Sequence, residues 1–143
     1  MLLGEYEHSV DAKGRVAVPA KFRPQLETGL VVTRGFERCL FVYPIQEWAL
    51  LAQRVSAVSF LQAEARRLRR LLFASAFQTE LDKQGRILLP APLREYASIG
   101  DTAIVAGMNT YFEIWAKEAW DSQQSDLADE AEAIAAAMAA LGI

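Results

Sequence analysis

Short apolar runs punctuated by glycine, proline and polar turns recur along the chain, and two longer stretches place apolar residues three and four apart. The loose alternation of Leu3 to Val10 predicts a strand, Lys13-Gly14 a tight turn, and Arg15–Pro19 a second strand that ends where proline removes a donor. Pro19 to Glu27 reads as a short helical turn before Thr28-Gly29. Leu30–Thr33 and Leu40–Tyr43 are rich in β-formers and predict a hairpin around Gly35. Pro44 then opens a helix over Ile45–Val58, with Trp48, Leu51, Ala52 and Val55 on one face. A second helix is predicted over Leu61–Ala76, where Leu61, Ala65, Leu68 and Leu72 share one face and Arg66, Arg67, Arg69 and Arg70 the other.

After this point the plan repeats. Phe77–Leu81 and Arg86–Leu89 flank a second turn, Ala91–Tyr96 gives a short helix, Ala103–Ala106 and Tyr111–Trp115 form a hairpin around Gly107, and a helix begins near Lys117. The repetition extends to residues: Asp11-Ala12-Lys13-Gly14-Arg15-Val16-Ala17-Val18-Pro19-Ala20 matches Asp82-Lys83-Gln84-Gly85-Arg86-Ile87-Leu88-Leu89-Pro90-Ala91 in register. Phe22-Arg23 matches Leu93-Arg94, and Gly35, Tyr43 and Trp48 match Gly107, Trp115 and Trp120 after a one-residue insertion. The expected organisation is two β-α-β repeats, 5–47 and 76–119, sharing one core, with connecting helices over 48–75 and a C-terminal helix over 120–143. Two copies are too few for a solenoid, which needs about three units, and fit an internal pseudo-dimer. In the last segment Leu127, Ala131, Ile134, Met138 and Leu141 follow a helix seam, an apolar side to be docked on this chain or on a neighbour.

The repeated motif has a definite chemistry. Its Gly14 or Gly85 tolerates a positive φ, its Asp11 or Asp82 can accept from turn N–H groups, and its Arg15 or Arg86 offers a fork of donors suited to phosphate oxygens or a guanine edge. For a single copy the simplest reading is an Asp–Arg pair that shapes a hairpin. Duplication of Asp, Gly, Arg, Pro and Ala in register argues that the whole constellation is used. Candidate DNA contacts are Lys13, Arg15, Lys21, Arg23, Lys83, Arg86 and Arg94, with Asp11, Gly14, Asp82 and Gly85 shaping the turns. The first repeat is the more basic, having Lys13 where the second has Gln84 and Lys21 where the second has Pro92, so Lys13 and Arg15 are the expected decisive contacts.

The opening Met-Leu-Leu-Gly-Glu-Tyr-Glu-His, the two Asp-x-x-Gly-Arg motifs, Pro-Ala-Lys-Phe-Arg after the first and Pro-Ala-Pro-Leu-Arg after the second together resemble the MraZ family from Met1 to about Asp121. That resemblance implies an α+β fold: a duplicated swapped-hairpin, AbrB-like β-barrel with peripheral helices. It also implies a cytoplasmic, nucleoid-associated transcriptional regulator, assembled as a homo-oligomeric ring. As a repressor of the division and cell-wall gene cluster, including its own operon, such a protein would bind short direct repeats in double-stranded DNA.

Composition changes the picture in three places. With 143 residues and 52% hydrophobic content the chain can bury a sizeable core. The net charge of −3 argues against nucleic acid only until it is divided: residues 1–95 hold 14 Lys/Arg against 10 Asp/Glu, a net of +4, and residues 96–143 hold 1 against 8, a net of −7. The single Cys39 sits in an apolar run and reads as a buried, inert thiol suited to a reducing compartment. A lone His8 without a ligand partner gives no metal site, no window is long and apolar enough for a membrane span, and no nucleophile–base set or phosphate-cradling glycine loop points to an enzyme. No cofactor and no small-molecule substrate are expected. The rival reading is a non-catalytic oligomeric scaffold whose Asp–Arg motifs only stabilise turns. The arginines at 66–70 remain open between a solvated face, acidic residues of a neighbour, phosphate and a membrane surface.

Overall fold

The computed structural model describes residues 1–143. Its strands are β1 (Glu5–Ser9), β2 (Arg15–Ala17), β3 (Leu30–Arg34), β4 (Leu40–Pro44), β5 (Phe77–Thr79), β6 (Arg86–Leu88), β7 (Thr102–Gly107) and β8 (Phe112–Ala116). Its helices are α1 (Ile45–Ala57), α2 (Ala63–Leu72), α3 (Ala91–Tyr96), α4 (Lys117–Asp129) and α5 (Ala131–Ala140). Short 3-10 turns occupy Arg23–Leu26 and Phe36–Arg38.

Six strands form one antiparallel sheet in the order β1-β7-β8-β4-β3-β5, and β2 pairs only with β6 in a separate antiparallel ribbon. Pairing thus crosses the halves of the chain at four places: β1 with β7, β5 with β3, β4 with β8, and β2 with β6. The fold is α+β and its hairpins are exchanged between halves, but the barrel anticipated from the sequence is not closed. An isolated bridge between Val10 and Val16 ties the ribbon to β1, and the edges β1 and β5 do not meet. Pro19 and Pro90 follow two positions beyond β2 and β6 and hold both ribbon strands to three residues, too short to complete a wall.

The sheet is buried on both faces, which is why β3 and β4 read as unbroken apolar runs rather than alternating ones. One face carries the main core: Leu30, Val32, Leu40, Val42, Phe112 and Ile114 pack against Val16, Val18 and Ile87 of the ribbon side and Phe22, Leu26 and Leu93. Residues of both halves enter it. The other face presents Cys39, Phe41, Tyr43, Ile104 and Trp115 to Val55 of α1 and Leu72 of α2. There desolvation raises the Cys39 thiol far above its ordinary range, so it is an inert core group.

Two helices differ from their sequence pattern. α2 starts at Ala63, because Ser59 Oγ accepts from Leu61 N–H in a turn that keeps Leu61 outside the helix and exposed; Ala65 and Leu72 still turn inward. The C-terminal segment is two helices divided at Glu130, whose φ of −103° and ψ of 9° depart from the helical values. Only the start of α4 is anchored, through Trp120 against Trp115 and Trp120 Nε1–H donating to Glu5. Leu127, Ile134, Met138 and Leu141 are all exposed, so the seam is not docked on its own chain.

Candidate nucleic-acid interface

Each motif folds into the same turn. In the first, Asp11 Oδ1 accepts from the N–H groups of Lys13 and Arg15 (both 2.9 Å), Oδ2 accepts from Arg15 Nε–H at 2.7 Å, and Gly14 N–H donates to Asp11 O. In the second, Asp82 Oδ1 accepts from Gln84 and Arg86 N–H (both 2.9 Å), Oδ2 from Arg86 Nε–H at 2.8 Å, and Gly85 N–H donates to Asp82 O. One carboxylate therefore fixes the backbone and aims the guanidinium. Donation by the Arg15 N–H, assisted by Arg15 Nε–H and Lys13 N–H, lowers the Asp11 carboxyl to about 2, and the equivalent bonds lower Asp82. Both turns keep their anion through the whole neutral range.

The ribbon joins the turns. Val16 faces Ile87 across it and both are fully buried, so by strand alternation Arg15, Ala17, Arg86 and Leu88 share the outer face. Arg15 opposes Leu88 and Arg86 opposes Ala17, which puts the two arginines in diagonal positions on that face. Each arginine uses Nε on its own Asp, and their side chains are 32% (Arg15) and 27% (Arg86) exposed. Symmetry is incomplete: a terminal nitrogen of Arg86 also lies 3.5 Å from Asp11 Oδ2, whereas Arg15 makes no ion pair beyond Asp11. The Arg15 fork is the freer of the two. Lys13 and Lys83 stand exposed on the turns and Lys21 is exposed beyond the first strand.

Arg23 and Arg94 take a role that the sequence reading did not foresee. Arg23 Nε–H donates to Val18 O at 3.0 Å and Arg94 Nε–H to Leu89 O at 2.9 Å. Each lies over the glycine of the opposite repeat: a Cβ on Gly14 would stand 2.5 Å from Arg94 Nε, and one on Gly85 would be closer still to Arg23 Nε. The exchange is completed by Leu89 N–H donating to Gly14 O and Val18 N–H donating to Gly85 O, both 2.9 Å. Each turn is thus built by both halves. The available signal was an arginine nine residues beyond each glycine, which could be seen in sequence but not connected to the other copy's turn.

Both glycines also have positive φ, +84° and +73°. Gly85→Ala is expected to combine left-handed strain with displacement of Arg23, at a cost of about 1–3 kcal/mol. Thermal unfolding should show a fall of several degrees; a melting temperature unchanged within about a degree would refute this account of the turn.

The arginines of α2 divide. Arg66 donates to the carbonyls of Phe60 and Leu61 (2.8 and 3.2 Å) and Arg69 to those of Ser56 and Val58 (3.1 and 2.5 Å), satisfying acceptors at the end of α1 and in the link. Arg67 makes a long, exposed contact with Glu64, and Arg70 has no side-chain partner.

No helix is long and apolar enough to cross a membrane. The chain thus defines a class: a duplicated, hairpin-exchanged α+β protein presenting two Asp-x-x-Gly-Arg turns on one ribbon. A family model described as "MraZ protein, putative antitoxin-like" matches it twice, over residues 1–71 and 72–141. The chain belongs to the MraZ family. Over all 143 residues of both chains it is 53% identical to a protein of Herpetosiphon aurantiacus named "Transcriptional regulator MraZ". Proteins of the same name from Roseiflexus sp. (strain RS-1) and Moorella thermoacetica are 48% identical over 141 residues (99% of each chain) and 44% identical over 138 residues (96% of each).

Proposed function

We propose that this protein is a cytoplasmic, nucleoid-associated transcriptional regulator that binds short direct repeats in double-stranded DNA through its paired turns. The observation that carries the reading is the geometry of Arg15 and Arg86: each is oriented by Nε on an aspartate and offers its remaining nitrogens from one outer ribbon face. A two-stranded ribbon fits the major groove, where an arginine fork pairs with guanine or a phosphate. Lys13, Arg15, Lys83 and Arg86 make the contacts, Lys21 flanks them on the backbone, and Arg23 and Arg94 hold the turns in place. The names of the relatives support transcription as the process. On this reading the protein represses the division and cell-wall gene cluster that includes its own operon.

The function is non-catalytic, and the protein acts as a ring. One chain presents only two small basic turns, which is a thin basis for specific recognition, and linked engagement of several subunits supplies the missing affinity. The exposed seam of Leu127, Ile134, Met138 and Leu141 is the subunit contact.

A titration of the DNA upstream of the protein's own operon, at two salt concentrations, tests the reading. Contact with phosphates gives a log–log salt slope of about −0.9 per phosphate neutralised. A saturable, steep dependence supports a DNA-binding regulator. A flat response or no binding favours a scaffold that docks proteins through its apolar helix.

A further inference from the structure

Away from the ribbon, two arginines without carboxylate partners stack on one tyrosine, and a third, Arg70, lines the space beside them. The guanidinium carbons of Arg34 and Arg38 lie 5.1 and 5.0 Å from the Tyr96 ring centroid, and Tyr96 Oη–H donates to Gly35 O at 2.7 Å, which fixes the ring. Arg38 is aimed there by left-handed backbone at two consecutive non-glycine residues, Glu37 (φ 62°) and Arg38 (φ 66°). Such strain needs a reason. Arg34 and Arg70 line a surface groove of about 360 Å³ together with Phe77 and Leu93, and an adjoining open space of about 540 Å³ is lined by Arg34, Arg38, Glu95 and Tyr96. None of the three arginines is in a salt bridge; Glu95 lines the second space with Arg34 and Arg38 but is beyond ion-pairing distance of them.

We infer that this cleft binds a phosphorylated small molecule, with its phosphates on Arg34, Arg38 and Arg70 and an apolar or planar body against Phe77 and Leu93. Three guanidinium groups share this cleft with a single carboxylate, Glu95, that pairs with none of them, and a multiply charged anion among them offsets their mutual repulsion through charge-assisted hydrogen bonds. The two spaces share Arg34 and Pro92 and so form one surface groove of nucleotide size, and its apolar side at Phe77 and Leu93 suits such a ligand better than a duplex backbone. Position gives the site a route to the ribbon. On α3, Pro92, Glu95 and Tyr96 face the cleft while Arg94, about 200° from Pro92 around the helix, covers Gly14. The cleft and the first turn therefore share one short helix.

The assembled wild-type protein, free of DNA, is titrated with pyrophosphate, ATP and adenosine by calorimetry. Saturable binding of pyrophosphate and ATP, but not of adenosine, is expected. The Arg34→Ala/Arg38→Ala variant should weaken both by at least about tenfold. Because that variant also unstacks Tyr96, Arg70→Ala, which touches neither the ring nor a carbonyl, provides a second measure and should weaken pyrophosphate several-fold. Arg67→Ala, on the same helix, is the unaffected control. Absence of saturable phosphate binding by the wild type, or affinities of the double variant and Arg70→Ala within about twofold of it, overturns the assignment. Displacement of ATP by a random-sequence duplex in an Arg15→Ala background assigns the arginines to DNA backbone instead and equally overturns it.

Discussion

Arg15→Ala is expected to lower affinity for operator DNA by about 5- to 150-fold for each subunit engaged, the equivalent of losing one bidentate contact of about 1–3 kcal/mol. The fold should survive. The Arg15 side chain is 32% exposed, its one ionic partner is Asp11, and the Arg15 backbone N–H still holds Asp11 Oδ1 when the side chain is cut. Arg86→Ala should cost less, because a terminal nitrogen of Arg86 is partly engaged by Asp11. With several subunits on one duplex, the Arg15 losses compound towards undetectable binding, and the log–log salt slope flattens by about 0.9 for each phosphate contact removed. Fluorescence anisotropy with a labelled operator, together with circular dichroism and sizing of the variant, makes the measurement. A folded, assembled Arg15→Ala protein that binds like wild type would show that the turn is structural and the scaffold reading correct.

Inserting half a helical turn, about 5 bp, between direct repeats is expected to reduce binding by a factor of about 10² to 10⁴. Repeats about 10 to 10.5 bp apart present the same groove face to successive subunits, so the second engagement is intramolecular. A half-turn rotates the next repeat to the far side of the duplex and each subunit must then bind alone. A full-turn insertion should restore part of the loss, which separates a phase effect from a length effect. If the protein is a strict monomer that binds one repeat as tightly as an array, both the ring and the multivalent reading fail.

What local sequence carried was local physics. The proline after each ribbon strand, the positive-φ glycine of each turn, and the three-and-four spacing of Trp48, Leu51 and Val55 depend on residues a few positions apart, and those elements stand where the pattern put them. Duplication, and with it the family, was legible because it is a property of the letters themselves. The tertiary structure alone decided which half completes which turn. Arg23 and Arg94 read as candidate DNA contacts in sequence, and only strand exchange across the chain places each over the other repeat's glycine. The carbonyl partners of Arg66 and Arg69 were likewise supplied by the end of α1 and the link after it, and the sharing of one groove by Arg34, Arg38 and Arg70 by the meeting of α2, α3 and the β3–β4 connection. Periodicity specifies which side of an element is apolar; it carries no information about the partner that side or that charge will meet, because the meeting is made by chain segments tens of residues apart.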